Sequence, residues 1–325
     1  MNRFPWIAAC LLSLFSLSAR AASDVFLFTY FIGNGEDGLH LLWSEDGFKW
    51  EPIQAGHSFL TPEIGSKEKL MRDPCVARGP DGTYHLVWTS GWNEQGIGYA
   101  STRDFVTWSA QREIPVMAHE PTARNSWAPE VVYDDAAKAF LIFWATTIPD
   151  RFPATAGSSE SGYDHRMYAT TTKDWQTFTP TRLFYDPGFS VIDATFLRAP
   201  EGLRWIVKDE TVNPPKKHLR IARAETVQGP FGELSAPITP PGLWVEGPTA
   251  VMVDGAAVIY YDAYRTKHYG ALRSADLAHW EDVSDRLVMP FEGTKERVRH
   301  GTIISVPREL VDHLNSAPAA GVRNP

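Results

Sequence analysis

Five short phrases carry the residue types of acid–base chemistry at nearly even spacing. They are Arg72-Asp73-Pro74, Trp127-Ala128-Pro129-Glu130, Ile192-Asp193-Ala194, Glu246-Gly247-Pro248 and Arg299-His300-Gly301. From Asp73 the successive steps to Trp127, Asp193, Glu246 and His300 are 54, 66, 53 and 54 residues. At the repeated position three of the five carry a carboxylate that interrupts an apolar stretch, where an acid is costly to bury unless it is paired or used. A turn or strand-capping role accounts for any one of them alone. Three at one position of a repeat converge on a single pocket. Carboxylates crowded into one pocket drive their proton affinities apart, so one stays ionised as a base while another keeps its proton as an acid. A pair of acids flanking an acetal bond is the machinery of glycoside hydrolysis. Aromatic faces suit the apolar C–H faces of sugar rings. Of Trp88, Trp92, Trp127, Trp144 and Trp244, most are expected to be core, with Trp92 and Trp127 the candidates for substrate contact. Arg265, Lys208 and Arg299 would either donate to sugar hydroxyls or pair with the acids.

The elements that must hold these phrases announce themselves by repetition. LLWSEDGFKW (Leu41–Trp50), YASTRDFVTW (Tyr99–Trp108), YATTTKDWQTF (Tyr168–Phe178) and ALRSADLAHW (Ala271–Trp280) share one plan: an alternating strand, Ser or Thr, an acidic turn, then an aromatic. Arg220–Phe231 is a weaker copy with Gly-Pro in the turn. Before each later copy runs a hairpin-like pair with turn chemistry such as Asp-Gly or Glu-Gly, as in Cys75–Thr89 and Ala250–Tyr264. Four strands per unit of 50–65 residues describe a β-propeller blade. Residues 24–53 lack an opening strand, whereas VRHGTIISV (298–306) is an opening strand with nothing after it. Joining the ends completes a fifth blade and removes the free sheet edge. The expected fold is therefore all-β, a five-bladed propeller closed by pairing the N-terminal strands with the C-terminal strand.

Composition agrees and excludes alternatives. Hydrophobic residues make up 43% and charged residues 22%, which describes a globular chain. A net charge of −8 gives a nucleic-acid partner no electrostatic support. Residues 1–21 combine Arg3, a short apolar run and Ala19-Arg20-Ala21, the pattern of a cleaved signal peptide. That predicts export to the periplasm or the medium, a single propeller domain over 22–310 and a C-terminal tail over 311–325. After cleavage only Cys75 remains, so no internal disulfide is expected. No later stretch is long and apolar enough to span a membrane.

The ordered phrases resemble glycoside hydrolase family 43, over about Asp24 to Leu310. MRDPCV is similar to the family's first-blade phrase, NSWAPEVVYD to the second, VIDATF to the third, VEGPTAV to the fourth and RHGT to the fifth. The resemblance implies an inverting enzyme: Asp73 the general base, Asp193 the residue that orients Glu246 and keeps its pKa raised, Glu246 the general acid, and His300 facing the channel. The Gly-Asn-Gly-Glu-Asp-Gly-Leu-His start, with Arg-Asp-Pro and Arg-His-Gly, looks like a subgroup of exo-acting α-L-arabinofuranosidases, with β-xylosidase the near alternative. Partners would be arabinose- or xylose-containing polysaccharides or oligosaccharides, with the enzyme a monomer. The resemblance admits a structural calcium near His300, held mainly by water, and no other cofactor. The family often places its base phrase nearer the N-terminus, so Asp37, with Glu36, is held in reserve for the base. Rival readings are a non-catalytic carbohydrate-binding propeller, and a phosphorylase or transferase using Arg72, Arg265 and Arg299 for phosphate.

Overall fold

The computed structural model describes residues 24–317, and the leader expected at 1–21 lies outside them. The chain begins with β1 (Asp24–Tyr30), β2 (His40–Ser44) and β3 (Glu51–Pro52). Blade one is β4 (Arg72–Arg78), β5 (Tyr84–Thr89), β6 (Ile97–Thr102) and β7 (Arg112–Ile114). Blade two is β8 (Trp127–Asp134), β9 (Ala139–Thr147), β10 (His165–Thr172) and β11 (Arg182–Tyr185). Blade three has β12 (Val191–Ala199), β13 (Gly202–Asp209) and β14 (His218–Ala224); blade four has β15 (Glu246–Val253), β16 (Ala256–Ala263), β17 (His268–Ser274) and β18 (Glu281–Asp282). The last strand, β19 (Thr302–Pro307), pairs antiparallel with β1 from Asp24↔Pro307 to Thr29↔Thr302, so the two ends of the chain build blade five together.

The repeated turn has a common hydrogen-bond scheme. The hydroxyls of Ser44, Thr102, Thr172 and Ser274 accept from the N–H three residues on, at 2.8–2.9 Å. The following Asp46, Asp104, Asp174 and Asp276 each accept two further N–H groups at 2.7–2.9 Å. The Ser/Thr and Asp of the repeat therefore satisfy backbone donors that the turn leaves unpaired. Blade three, whose copy has Gly-Pro instead, has three strands.

The core lies between the blades. Each neighbouring pair of sheets shares one cluster of buried side chains: Trp88 and Leu86 with Leu27 between blades five and one, Trp144 with Val87 between one and two, Trp205 with Phe143 between two and three, Tyr261 with Leu197 between three and four, and Tyr260 with Phe28 between four and five. Trp88 and Trp144 are thus core, as expected. The tail expected from 311 begins instead as a helix, α1 (Arg308–Ser316), because Val311 and Leu314 on one of its faces are apolar and pack into the cluster between blades five and one.

Candidate active site

Each inner strand of blades one to four opens with the same irregularity. Ladder pairing jumps from Arg72 to Cys75, Trp127 to Glu130, Ile192 to Thr195 and Glu246 to Thr249, so two residues oppose one on the neighbouring strand. Such bulges re-aim side chains and concentrate beside active sites. The first bulged residue is left-handed in all four blades: Asp73 (φ 53), Ala128 (φ 46), Asp193 (φ 51) and Gly247 (φ 54). This corrects the expectation of three carboxylates at one register. Asp73 and Asp193 occupy the bulge, whereas Glu246 stands one residue earlier, equivalent to Arg72, Trp127 and Ile192. The bulge position of blade four must be glycine, because a Cβ there would lie 2.1 Å from the Cβ and Cγ of His300.

The expected acids do come together. Asp73, Asp193, Glu246 and His300 line one axial cavity of about 660 Å³, in the size range of small-molecule sites. The His300 ring lies between two of them, with Nδ1 3.3 Å from Asp73 and Nε2 3.4 Å from Glu246. Thr89 donates to Asp73 at 2.6 Å. Asp193 accepts from the backbone N–H of Gly247 at 3.1 Å, which ties it to the turn that carries Glu246. Trp92 and Trp127 form part of the wall and meet edge to face at 5.5 Å, and the Trp127 indole N–H donates to the Trp92 carbonyl. Arg299 also lines the cavity and donates to Glu246 at 2.7 Å and Asp262 at 2.8 Å.

Two candidates lie elsewhere. Asp37 is exposed and pairs with His40 at 3.1 Å, outside the cavity wall, because the loop turns its Asn34 inward instead. Arg265 is not a wall residue either: it stacks on Trp244, 3.3 Å from the ring centroid, and faces Glu160 across 3.8 Å. Sequence reasoning missed Asp262, Glu210, His165, Tyr163, Tyr264 and Arg124. Asp262 gave a signal, a lone acid in VIYYDA, and it is the cross-strand partner of Glu246. The others sit at strand ends and loops, where nothing in the sequence says which way they face.

The electrostatics overturn one expectation. The pKa of Glu246 is held well below the usual carboxylate range and is not raised. Burial pushes it upward, but the His300 ring and the cations Lys208 and Arg299 outweigh that push. Lys208 Nζ lies 3.6 Å from Glu246, 3.7 Å from Asp193 and 2.8 Å from Glu210. His300 is raised: burial works against its cation, and Asp73 and Glu246 prevail. Asp193 is raised, chiefly by burial. Deeper on the axis, burial lifts Glu130 to about 8, where its carboxyl accepts from Thr195.

The residues present do not offer calcium an all-protein shell. Glu246, Asp262 and His300 offer ligand atoms within 4.8 Å of one another. Calcium takes six to eight oxygens. Here the Arg299 guanidinium bridges the two carboxylates, Arg297 holds the other Asp262 oxygen at 2.9 Å, and both His300 nitrogens face acids.

Comparison with known proteins gives a consistent picture. A family model described as a probable glycosyl hydrolase domain, related to glycoside hydrolase family 43, matches residues 22–312. An alpha-L-arabinofuranosidase of Bifidobacterium longum subsp. longum is 27% identical over an alignment of 175 residues that takes in 46% of this chain and 16% of that protein. Among solved structures, an alpha-L-arabinofuranosidase from Lactobacillus brevis aligns over 66% of this chain and 72% of its own, at 19% identity and TM-score 0.52. A thermostable family-43 glycoside hydrolase aligns over 69% and 75%, at 16% identity and TM-score 0.53. The two structural likenesses are likenesses of fold.

Proposed function

Because the chain belongs to the probable glycosyl hydrolase family related to glycoside hydrolase family 43, we propose that it is an inverting glycoside hydrolase that releases L-arabinofuranose from plant cell-wall polysaccharide or oligosaccharide. The observation that carries this reading is the His300 ring set between Asp73 and Glu246 at the floor of an aromatic-walled cavity. An interposed ring keeps the carboxylates apart, and an inverting pair needs roughly 6.5–9.5 Å so that a water fits against the sugar. The name of the Bifidobacterium relative favours arabinofuranose over xylose. The leader pattern at 1–21 favours export, which brings the enzyme to a polymer that cannot enter the cell.

The roles follow from the contacts. Asp73, oriented by the Thr89 hydroxyl, takes the proton of the attacking water. Glu246 gives a proton to the departing oxygen. In the substrate-free pocket that proton is favoured on His300, whose Nε2 faces Glu246, while Lys208 and Arg299 stabilise the carboxylate. A sugar filling the cavity removes water and disfavours the charged form of Glu246, so the proton moves to it when substrate binds. Asp193 acts through the Gly247 N–H and Lys208, fixing the turn on which Glu246 stands.

The test is a panel of 4-nitrophenyl glycosides carrying α-L-arabinofuranosyl, β-D-xylosyl and β-D-galactosyl groups, with the first-formed anomer followed by NMR. Release of β-L-arabinofuranose from the α-linked substrate supports the reading. Retention of configuration, or no cleavage of any member, overturns it.

A further inference from the structure

Arginine and lysine side chains line the cavity in two kinds. Lys208 and Arg299 pair with Glu246. Arg72 and Arg124 meet only neutral acceptors among the described residues. Arg72 donates to the carbonyl and side-chain oxygens of Asn34 at 3.4 and 3.1 Å, and Arg124 to the carbonyls of Ser161 and Gly162 at 3.1–3.5 Å. Arg72 is buried, at 8% exposure, and its guanidinium is held in place. Its Cζ lies 4.4 Å from the Trp92 ring centroid and 4.8 Å from that of Phe31. The Asn34 side-chain oxygen that accepts from Arg72 also accepts from the Trp92 indole N–H at 3.2 Å.

Both bonds of Arg72 use Nη1. Nε and Nη2 donate to nothing among the described residues, and neither atom is sealed from solvent. These two nitrogens form the side-on edge of a guanidinium, with two parallel N–H donors spaced to meet both oxygens of one carboxylate. Burial outweighs the pull of Asp73 and Glu246 and holds the pKa of Arg72 below the usual arginine value, yet the group stays charged. Those two acids are already engaged, because His300 stands between them and Arg299 donates to Glu246. A buried cation is costly without an anion beside it. A sugar hydroxyl would fill the edge and leave the charge unmet, whereas a carboxylate answers both. Trp92, 37% exposed beside this edge, offers an apolar face to the sugar that carries the anion.

We propose that the Nε–Nη2 edge of Arg72 binds the carboxylate of a uronic acid in the substrate. The assignment rests on the glycosidase reading above and narrows its substrate class. Arabinofuranose carries no carboxylate, so the uronic acid belongs to the chain from which the arabinose is released. Arg124, stacked over the Tyr163 ring at 3.9 Å, adds a second unpaired positive charge to the cavity and favours an acidic chain over a neutral one.

The test is titration calorimetry of the wild-type protein with D-galacturonate and D-glucuronate, with the methyl esters of both, and with D-galactose and D-glucose. At least one uronate should bind about 10–100-fold more tightly than its ester and its neutral counterpart, the worth of a charge-assisted bidentate pair. Arg72→Gln should erase the preference. Arg72→Lys keeps the charge but loses the fork, and should retain only part of it. Equal affinities for uronates and neutral sugars in wild type overturn the proposal, whether or not the variants fold. So does a preference that survives in an Arg72→Gln protein whose circular dichroism melt shows it folded, which would leave Arg72 as a support for Trp92 alone. Inorganic phosphate binding as tightly as the uronates also overturns it, because the edge would then take any small anion. Calorimetry needs no turnover, so the two readings fail separately. Cleavage of the glycoside panel without a uronate preference overturns this assignment and leaves the proposed function standing. A uronate preference without cleavage of any member supports the carboxylate site and overturns the proposed function.

Discussion

Glu246 faces cations or a raised imidazole on every polar contact it makes: Arg299, Lys208 and His300. Its lowered proton affinity has a kinetic consequence. In a bell-shaped profile the alkaline limb of kcat/KM reports loss of the acid's proton from the free enzyme; with that proton held on His300, whose pKa, despite burial, is raised from the ordinary 6.5 by Asp73 and Glu246, the limb should lie above that value. Replacing Lys208 by Met removes a term that favours the carboxylate, so the alkaline limb should move to higher pH even as overall activity drops. A limb that stays put would remove Lys208 from the account. Asp73→Asn and Glu246→Gln should each lower kcat/KM on an unactivated oligosaccharide by about 10²–10⁴-fold, the usual worth of a positioned base or acid. Chelation belongs at this scale too. Because Arg299 occupies the space between Glu246 and Asp262, extensive dialysis against EDTA should leave both kcat/KM and melting temperature unchanged. A loss restored by added calcium would contradict that fit.

At the scale of the element, the bulge is what turns a strand into a site. Two residues against one, with a left-handed residue at the first, aim Asp73 and Asp193 at the axis in blades one and three. In blade four the ring of His300 claims the space, and the acid is displaced by one position. Gly247→Ala should therefore push the His300 ring aside and lower kcat/KM by at least about 100-fold, with a loss of stability from the clash and the positive φ. Wild-type activity in this variant would show that the close approach is not needed. The repeated turns offer a second test. Burial acts to raise Asp104, but the N–H groups of Thr107 and Val106 outweigh it, and its pKa lies below the usual value. Asp46 behaves alike, and Asp174 is drawn down to about 2 by the N–H groups of Thr177 and Gln176. A carboxylate with a depressed folded-state pKa stabilises the fold above its unfolded pKa of roughly 4, and that stability is lost as pH falls through the folded value. Asp104→Ala should lower the melting temperature by a few degrees at pH 7, and by less at pH 3. An equal drop at both values would assign the effect to packing.

Across the whole molecule the ring has one seam, the β1–β19 pairing. A propeller closed this way has its two ends in a single sheet, so neither end can be released without exposing a strand edge and two inter-blade clusters. Truncation after Gly301 removes β19 and α1 and should leave a chain that does not fold. Truncation after Pro307 keeps β19 and removes α1, with the buried Val311 and Leu314, and the residues after it. It should fold, with a lower melting temperature, because burial of two aliphatic side chains contributes several kcal/mol to stability. Circular dichroism melts of the two truncations distinguish the seam from the plug. Equal behaviour would mean that the closure resides elsewhere.

The sequence by itself determined the blade count, the closure of the ring and the identity of the inner-strand phrases, because a period of about 54 residues and a twofold strand alternation are local patterns. It also marked Asp73, Asp193, Glu246 and His300, since a charge interrupting an apolar strand stands out in one dimension. Tertiary structure alone decided which side of a loop faces the axis. Asp37 and Arg265 turned outward, while Asn34 and Tyr264 turned in. It alone placed Glu246 one residue off the shared register, through the contact between Gly247 and His300. It reversed the expected proton affinity of Glu246 as well. Lys208 comes from blade three and Arg299 from the approach to blade five, and the charge that an acid feels depends on neighbours that chain order does not reveal.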